Sequence, residues 1–216
     1  MKNIILIAAP AAGKGTLSTM LVDKYNYTHI STGDLLRDAS HEETEIGKKI
    51  ASILEKGELV TDDIVFSLLE KRLMKDDTKN GYILDGFPRT LEQAKKYQDT
   101  IIKLNKDLGI VIVLDTDYEI LKNRIVGRVV CPKCGSVYNT LTGVNTPKVD
   151  NICDKCGGCL IKRSDDNEES FKTRYETYLE KTKPLIDYYK SIGNLHFVNS
   201  TDMNEMLMET EEMLHD

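Results

Sequence analysis

Gly13, Lys14, Gly15 and Thr16 close the segment AAPAAGKGT (residues 8–16), and these residue types in this order suit the cradling of phosphate. Backbone N–H groups at a helix N-terminus point toward an anion, glycine lets the chain come close, and a lysine adds a point charge for β and γ phosphates. The loop pattern G-x-x-x-x-G-K-[ST] asks for glycine where this chain has Ala8, and Ala11 places a second methyl group inside the loop. If Ala8 sat at positive φ it would cost about 1–2 kcal/mol, for which the fixed torsion of Pro10 partly compensates.

Arginine is the second chemical signal. The chain has 22 lysines and only 7 arginines, so lysine is its default cation and each guanidinium is informative. Arg37 lies in STGDLLR, Arg89 in LDGFPR, Arg124 and Arg128 in RIVGR, Arg163 in IKRSDD and Arg174 in FKTR; only Arg72 lies outside such a stretch. Planar, bidentate contacts to phosphate are available to guanidinium and not to ammonium. Any one of these side chains alone reads as a surface ion pair, but the set near loops points to convergence on a polyanion.

The third signal is sulfur. Cys131-x2-Cys134 and Cys153-x2-Cys156 are separated by 18 residues, the spacing of a closed, structural four-thiolate zinc site. Cys159 offers a rival second pair, Cys156-x2-Cys159. Thiols clustered in a chain without the layout of a secretion signal read as metal ligands before disulfides, and so point to the reducing cytoplasm.

These groups need a scaffold, and 216 residues with 40% hydrophobic content can bury one substantial core with a small insert. A net charge of −6 disfavours nonspecific attraction to nucleic acid or to an anionic membrane face, and no run of ~18 apolar residues offers a membrane span. Apolar runs at 3–8, 27–30, 81–85, 110–115 and 195–199 predict strands buried on both faces, separated by amphipathic helices such as 61–74 with Thr61 as N-cap. That alternation predicts an α/β fold, a parallel sheet of about five strands with helices on both faces. Ligands then bind beyond the carboxyl ends of the strands, where Asp85, Asp115 and the 8–16 loop fall. Residues 129–163, rich in Cys, Gly and Pro, read as an inserted subdomain, and the methionine-rich tail as a helix packed on the sheet.

Taken in order and spacing, GKGT (13–16), STGDLLR (31–37), GELVTDDIV (57–65), LDGFPRT (84–90), RIVGR (124–128) and RSDDNEESFKTR (163–174) resemble adenylate kinase of the long, zinc-bearing bacterial type over nearly the whole chain. The resemblance implies a P-loop kinase core (1–30, 61–127 and 165–216), an AMP-binding helical insert (31–60) and a zinc-binding lid (128–164) in a cytoplasmic monomer. It implies phosphoryl transfer from ATP to AMP, giving two ADP, with Mg2+; no nucleic acid or membrane partner is expected. By the same resemblance Gly13, Lys14, Gly15 and Thr16 hold the donor phosphates, and Arg124, Arg128 and Tyr138 also meet ATP. Thr32, Arg37, Leu59, Val60, Gly86, Arg89, Gln93, Arg163 and Arg174 hold AMP. Lys14, Arg89, Arg124, Arg128, Arg163 and Arg174 surround the transferring group, and Asp85 holds magnesium through water.

Some of these positions carry a second reading. Thr90 and Gln93 in TLEQ also fit a helix-capping box, Asp85 also fits a turn cap, and Thr32 a helix cap. A threonine at position 32 favours AMP over the uridylate and cytidylate kinases, which usually carry alanine there. The resemblance also selects Cys131, Cys134, Cys153 and Cys156 for zinc and leaves Cys159 spare. A site of this kind needs alignment and charge stabilisation rather than a nucleophile of its own.

Overall fold

The structure is a computed structural model and describes residues 2–215. Five strands, β1 (Ile4–Ala8), β2 (Thr28–Ser31), β3 (Tyr82–Asp85), β4 (Ile110–Asp115) and β7 (Leu195–Asn199), form one parallel sheet in the order β2-β3-β1-β4-β7. The five apolar runs each fall within one residue of a strand. Their continuity has a physical cause visible in β1: Ile5 and Ile7 enter the core that holds Leu84 and Val111, while Ile4 and Leu6 enter the opposite core with Leu17 and Ile112. Both faces being buried, no position in the central strand can be polar.

Helices cover both faces. α1 (Lys14–Tyr25), α6 (Tyr118–Val126), α7 (Glu168–Thr177) and α9 (Met203–His215) pack on the Ile4 side through Leu17, Leu121, Phe171 and Met206. α2 (Thr32–Ser40), α3 (Glu45–Glu55), α4 (Asp62–Leu73), α5 (Leu91–Lys103) and α8 (Leu185–Ile192) pack on the other through Leu36, Ile50, Phe66, Tyr97 and Tyr189. α4 matches the helix expected over 61–74, although the Thr61 side chain caps nothing; Asp62 and Asp63 occupy the first turn and favour the helix dipole. α2 and α3 follow β2 as a helical insert over the sheet edge. Among the described residues no helix is long and apolar enough to cross a membrane.

Register sets the working edge. Leu6 of β1 and Ser31 of β2 both pair with Asp85 of β3, so the loop after β1, the start of α2 and the turn after β3 emerge side by side. From α6 the chain enters an antiparallel pair, β5 (Arg128–Val130) and β6 (Val137–Asn139), with its own small core of Cys131, Tyr138, Cys153 and Leu160. This is the insert marked by its Cys, Gly and Pro content. It returns to the sheet side through α7, whose first turn is capped when Asn167 accepts a hydrogen bond from the Ser170 backbone at 2.8 Å.

Candidate active site

α1 begins at Lys14, with Gly13 left-handed at φ 99°, so the loop after β1 leads directly into a helix N-terminus at the working edge. The strain anticipated for Ala8 lies elsewhere: Ala8 is the last residue of β1, and Ala11 takes the left-handed conformation at φ 64°. Lys14 Nζ folds back over the loop to donate to the Ala9 carbonyl at 3.4 Å. Removal from water draws its ammonium down to about 8; nearby Asp85 pulls the other way, while Arg89, Arg174 and Arg128 add to the depression.

Asp85 ends β3, with its carboxylate 3.4 Å from His29 Nε2. Burial pushes its carboxyl up, and His29, Lys14 and Arg89 together outweigh that and leave it below the ordinary aspartate range. The residue after it, Gly86, is a close-approach point at φ 78°, where a Cβ would stand 3.1 Å from both Arg89 Nη2 and Thr32 Oγ1. Thr32 donates to the Gly86 carbonyl at 2.8 Å, and Arg89 Nε donates to the same oxygen at 2.7 Å. The capping role at the start of α2 falls to Ser31, which accepts from the Asp34 backbone, and not to Thr32.

Around this turn four of the arginines converge, each against an aspartate. Arg128 makes a two-pronged contact with Asp166, whose side chain is fully buried. Arg174 Nη1 lies 3.0 Å from Asp165, Arg37 Nη2 lies 2.6 Å from Asp34, and Arg163 Nη2 lies 3.7 Å from Asp34. Burial and the neighbouring Arg128 push Arg174 down to about 10. Arg124 stands apart, its guanidinium donating to the Ser200 and Thr201 carbonyls at 3.0 and 3.2 Å. Sequence reasoning passed over Asp34, Asp165 and Asp166, though they sit inside the stretches STGDLLR and RSDD. Guanidinium groups drawn partly out of water need counter-charges, and nearby carboxylates supply them.

A cleft beside the cluster is lined by Thr32, Arg37, Leu59, Val60, Gly86, Arg89, Gln93 and Arg174. A second, lined by Ala8, Pro10 and Lys14, shares Gly86, Arg89 and Arg174 with it. The two clefts therefore meet where guanidinium groups from α7 and from the turn before α5 stand together. Arg163 joins the cluster through its ion pair with Asp34. Gly57, at φ 72°, brings the end of α3 against α7: a Cβ there would lie 2.8 Å from Ser170 Oγ and 2.9 Å from Arg174 Cγ. Gln93 is buried beside the first cleft. Thr90 accepts from the Gln93 backbone at 3.2 Å, as a capping box requires, but Gln93 Oε1 accepts at 2.7 Å from the backbone of Arg89, one residue before the N-cap, so the box is met in one half only.

In the insert, Cys131, Cys134, Cys153 and Cys156 place four sulfurs within 4.8 Å of one another, with Cys131 and Cys156 3.4 Å apart and Cys134 and Cys153 3.5 Å apart. Four thiolates about 2.3 Å from a tetrahedral zinc ion have edges near that length, so the group could hold one. Cys159 lies outside the cluster, exposed and bridged through its backbone to Ile152, which decides between the two spacings. Tyr138, expected beside ATP, has its ring inside the small core of the insert because β6 turns that face toward the cysteines, and its hydroxyl is engaged there. The hydrogen bond from Tyr138 helps draw the Cys153 thiol down to about 6.

The adenylate kinase family model matches residues 6–194. Among curated proteins, the adenylate kinase of Thermosipho africanus is 45% identical over 96% of this chain and 96% of its own length. That of Kosmotoga olearia is 48% identical over 89% of each chain, and that of Listeria innocua 41% identical over 98% of each.

Proposed function

The chain belongs to the adenylate kinase family, a nucleoside monophosphate kinase that converts ATP and AMP to two ADP, and from that premise we propose how its residues divide the work. The observation that carries the reading is the meeting of two clefts at Gly86, Arg89 and Arg174, one of them lined by Lys14 and the other by Thr32 and Gln93. Residues 31–60 and the turn before α5 hold AMP, its phosphate against Arg37 and Arg89, its base against Gln93 and the backbone of Leu59 and Val60. The loop amides of Gly13, Lys14, Gly15 and Thr16 hold the donor phosphates. Residues 128–164 close over them as a lid, bringing Arg128 and Arg163.

The aspartates explain how the arginines wait. Asp34, Asp165 and Asp166 neutralise Arg37, Arg174 and Arg128. As phosphate enters, guanidinium exchanges a carboxylate oxygen for a phosphoryl oxygen without moving far, so the donors are oriented before the charge they stabilise develops. Closure of the lid excludes water, which would otherwise accept the phosphoryl group. The attacking group is the AMP phosphate, so no side chain need act as nucleophile.

Asp85 would hold Mg2+ through water, its carboxyl kept ionised by its cationic surroundings, and the ion would supply charge neutralisation for the phosphates. Cys131, Cys134, Cys153 and Cys156 would hold a structural Zn2+, which keeps a lid with only a small apolar core in one shape. Arg124, tied to the Ser200 and Thr201 carbonyls, serves the outer edge of the donor side. The enzyme acts as a monomer in the cytoplasm, where a reducing milieu keeps the metal-binding thiols available.

The test is ADP formation from ATP with AMP, UMP, CMP or GMP, run alongside zinc quantification. AMP should be the preferred acceptor and one zinc should accompany each chain. Turnover below about one per minute with nucleotide binding intact, far under the usual enzymic range, would reject the catalytic reading. Chelation should cost folding before chemistry; a chelated sample that stays folded yet inactive would count against a structural metal.

A further inference from the structure

Tyr138 occupies the centre of β6 and is 6% exposed, packed among Cys131, Cys153 and Leu160. Its hydroxyl oxygen lies 2.9 Å from the Asp154 backbone nitrogen and 3.5 Å from Cys153 Sγ. A backbone N–H can only donate, so the tyrosine oxygen accepts from Asp154 and keeps its own proton for another partner. A metal-bound cysteine is a thiolate and can only accept. The chain of donation therefore has one direction, from the Asp154 N–H to the Tyr138 oxygen and from the Tyr138 proton to the Cys153 sulfur.

We propose that Tyr138 is a positioning residue of the zinc centre: its O–H donates to the Cys153 thiolate and orients that ligand, a role that rests on the reading of the four thiols as a metal site. Phenylalanine would fill the same core volume, yet it would leave the Asp154 N–H without its acceptor and the sulfur without its donor. The knuckle Cys153-Asp-Lys-Cys156 then loses the hydroxyl that ties it to β6. On the other knuckle the corresponding contact is Cys134 Sγ to Ser136 Oγ at 3.2 Å, beside an exposed sulfur that water can serve equally well. Burial sets the two apart: only Tyr138 has no solvent to replace it.

The experiment compares the full-length enzyme with Tyr138→Phe, with Ser136→Ala and with a variant carrying 3-fluorotyrosine at position 138. Zinc transfer to a chromophoric chelator and the thiolate-to-metal charge-transfer band of the cobalt-loaded proteins are the readouts. Tyr138→Phe should weaken metal retention about 10- to 100-fold and move the band to lower energy, because an unassisted thiolate gives up its electrons more readily. Fluorotyrosine, a stronger donor of the same shape, should move it the other way, and Ser136→Ala should do little to either readout. A band unmoved by both substitutions at Tyr138, with unchanged zinc transfer, overturns the proposal. A wild-type enzyme that retains no zinc would instead reject the metal reading beneath it. Should Tyr138→Phe fail to fold, the fluorotyrosine band shift decides alone.

Discussion

Asp62 Oδ1 accepts a hydrogen bond from Gln93 Nε2 at 2.6 Å, while the other end of the same amide accepts from the Arg89 backbone. The two partners demand opposite ends of the amide, so the side chain has one orientation and one N–H left over beside the cleft. A donor there suits the lone pair on N1 of adenine and opposes the N1–H of guanine. Asp62→Ala removes one of the two constraints. The KM for AMP should rise about three- to tenfold, the size of one net hydrogen bond, with a smaller change in kcat and a narrower preference for AMP over GMP. Steady-state kinetics with both monophosphates measure this, and an unchanged ratio of their kcat/KM values would remove Asp62 from the recognition of the base.

Asp166 is the buried counter-ion of Arg128. Removing one member of a buried pair leaves the other uncompensated, at a cost of about 3–5 kcal/mol. Asp166→Ala should therefore lower Tm by roughly 6 °C or more for a chain of this size. ATP should recover part of the loss, since its phosphates offer Arg128 the charge that the carboxylate withheld. Calorimetry with and without nucleotide checks both halves; a deficit that ATP leaves untouched means that Arg128 does not meet the donor.

The physical reasons for success and failure in reading this chain differ by residue. A strand buried on both faces must be an uninterrupted apolar run, so IVIVLD and NIILIA are visible without any structure. Arg89 and Arg174 stand out because arginine is scarce here. Asp165 and Asp166 do not, because a carboxylate near an arginine in a chain with 30% charged residues looks like any surface pair until burial is known. The orientation of Tyr138 depends on which face of β6 meets the cysteine knuckles, a matter of pairing between segments that no local pattern encodes. Gly57 is hidden for the same reason: its need for a bare Cα comes from α7, far along the chain.

Lys14 makes binding depend on pH. Its ammonium titrates near 8 in the folded enzyme, below the ordinary value of 10.5. Between these two values the unfolded chain binds more protons than the folded one, so this group makes stability rise with pH across that window, and at neutral pH the cost of burying the charge is present in full. Phosphate beside the ammonium raises its pKa again. Nucleotide binding at pH 8.5 should then take up protons, and affinity should fall as pH climbs through 8. Titration calorimetry in two buffers of different ionisation enthalpy measures the uptake, which Lys14→Met should abolish; equal enthalpies for the wild type would contradict the assignment.

Ala8 and Ala11 should respond in opposite directions to glycine. Ala11 holds φ 64°, a conformation that costs a residue with a Cβ about 1–2 kcal/mol. Ala11→Gly removes that strain but loosens the unfolded chain by about 0.4–1 kcal/mol, leaving a net gain of up to about 1.6 kcal/mol and a Tm higher by up to roughly 6 °C. Ala8 is the last residue of β1, where glycine has no strain to relieve and costs about 0.5–1 kcal/mol in lost backbone order. The contrast bears on function because Ala11 lies two residues before Gly13, where the amides proposed to hold the donor phosphates begin. Relief at Ala11 lets those amides settle without a competing torsion, so Ala11→Gly should keep or improve the KM for ATP, while Ala8→Gly should act on stability alone. Thermal melts and ATP kinetics on both variants decide: shifts of the same sign at the two positions would mean that the strain in this loop is not concentrated at Ala11.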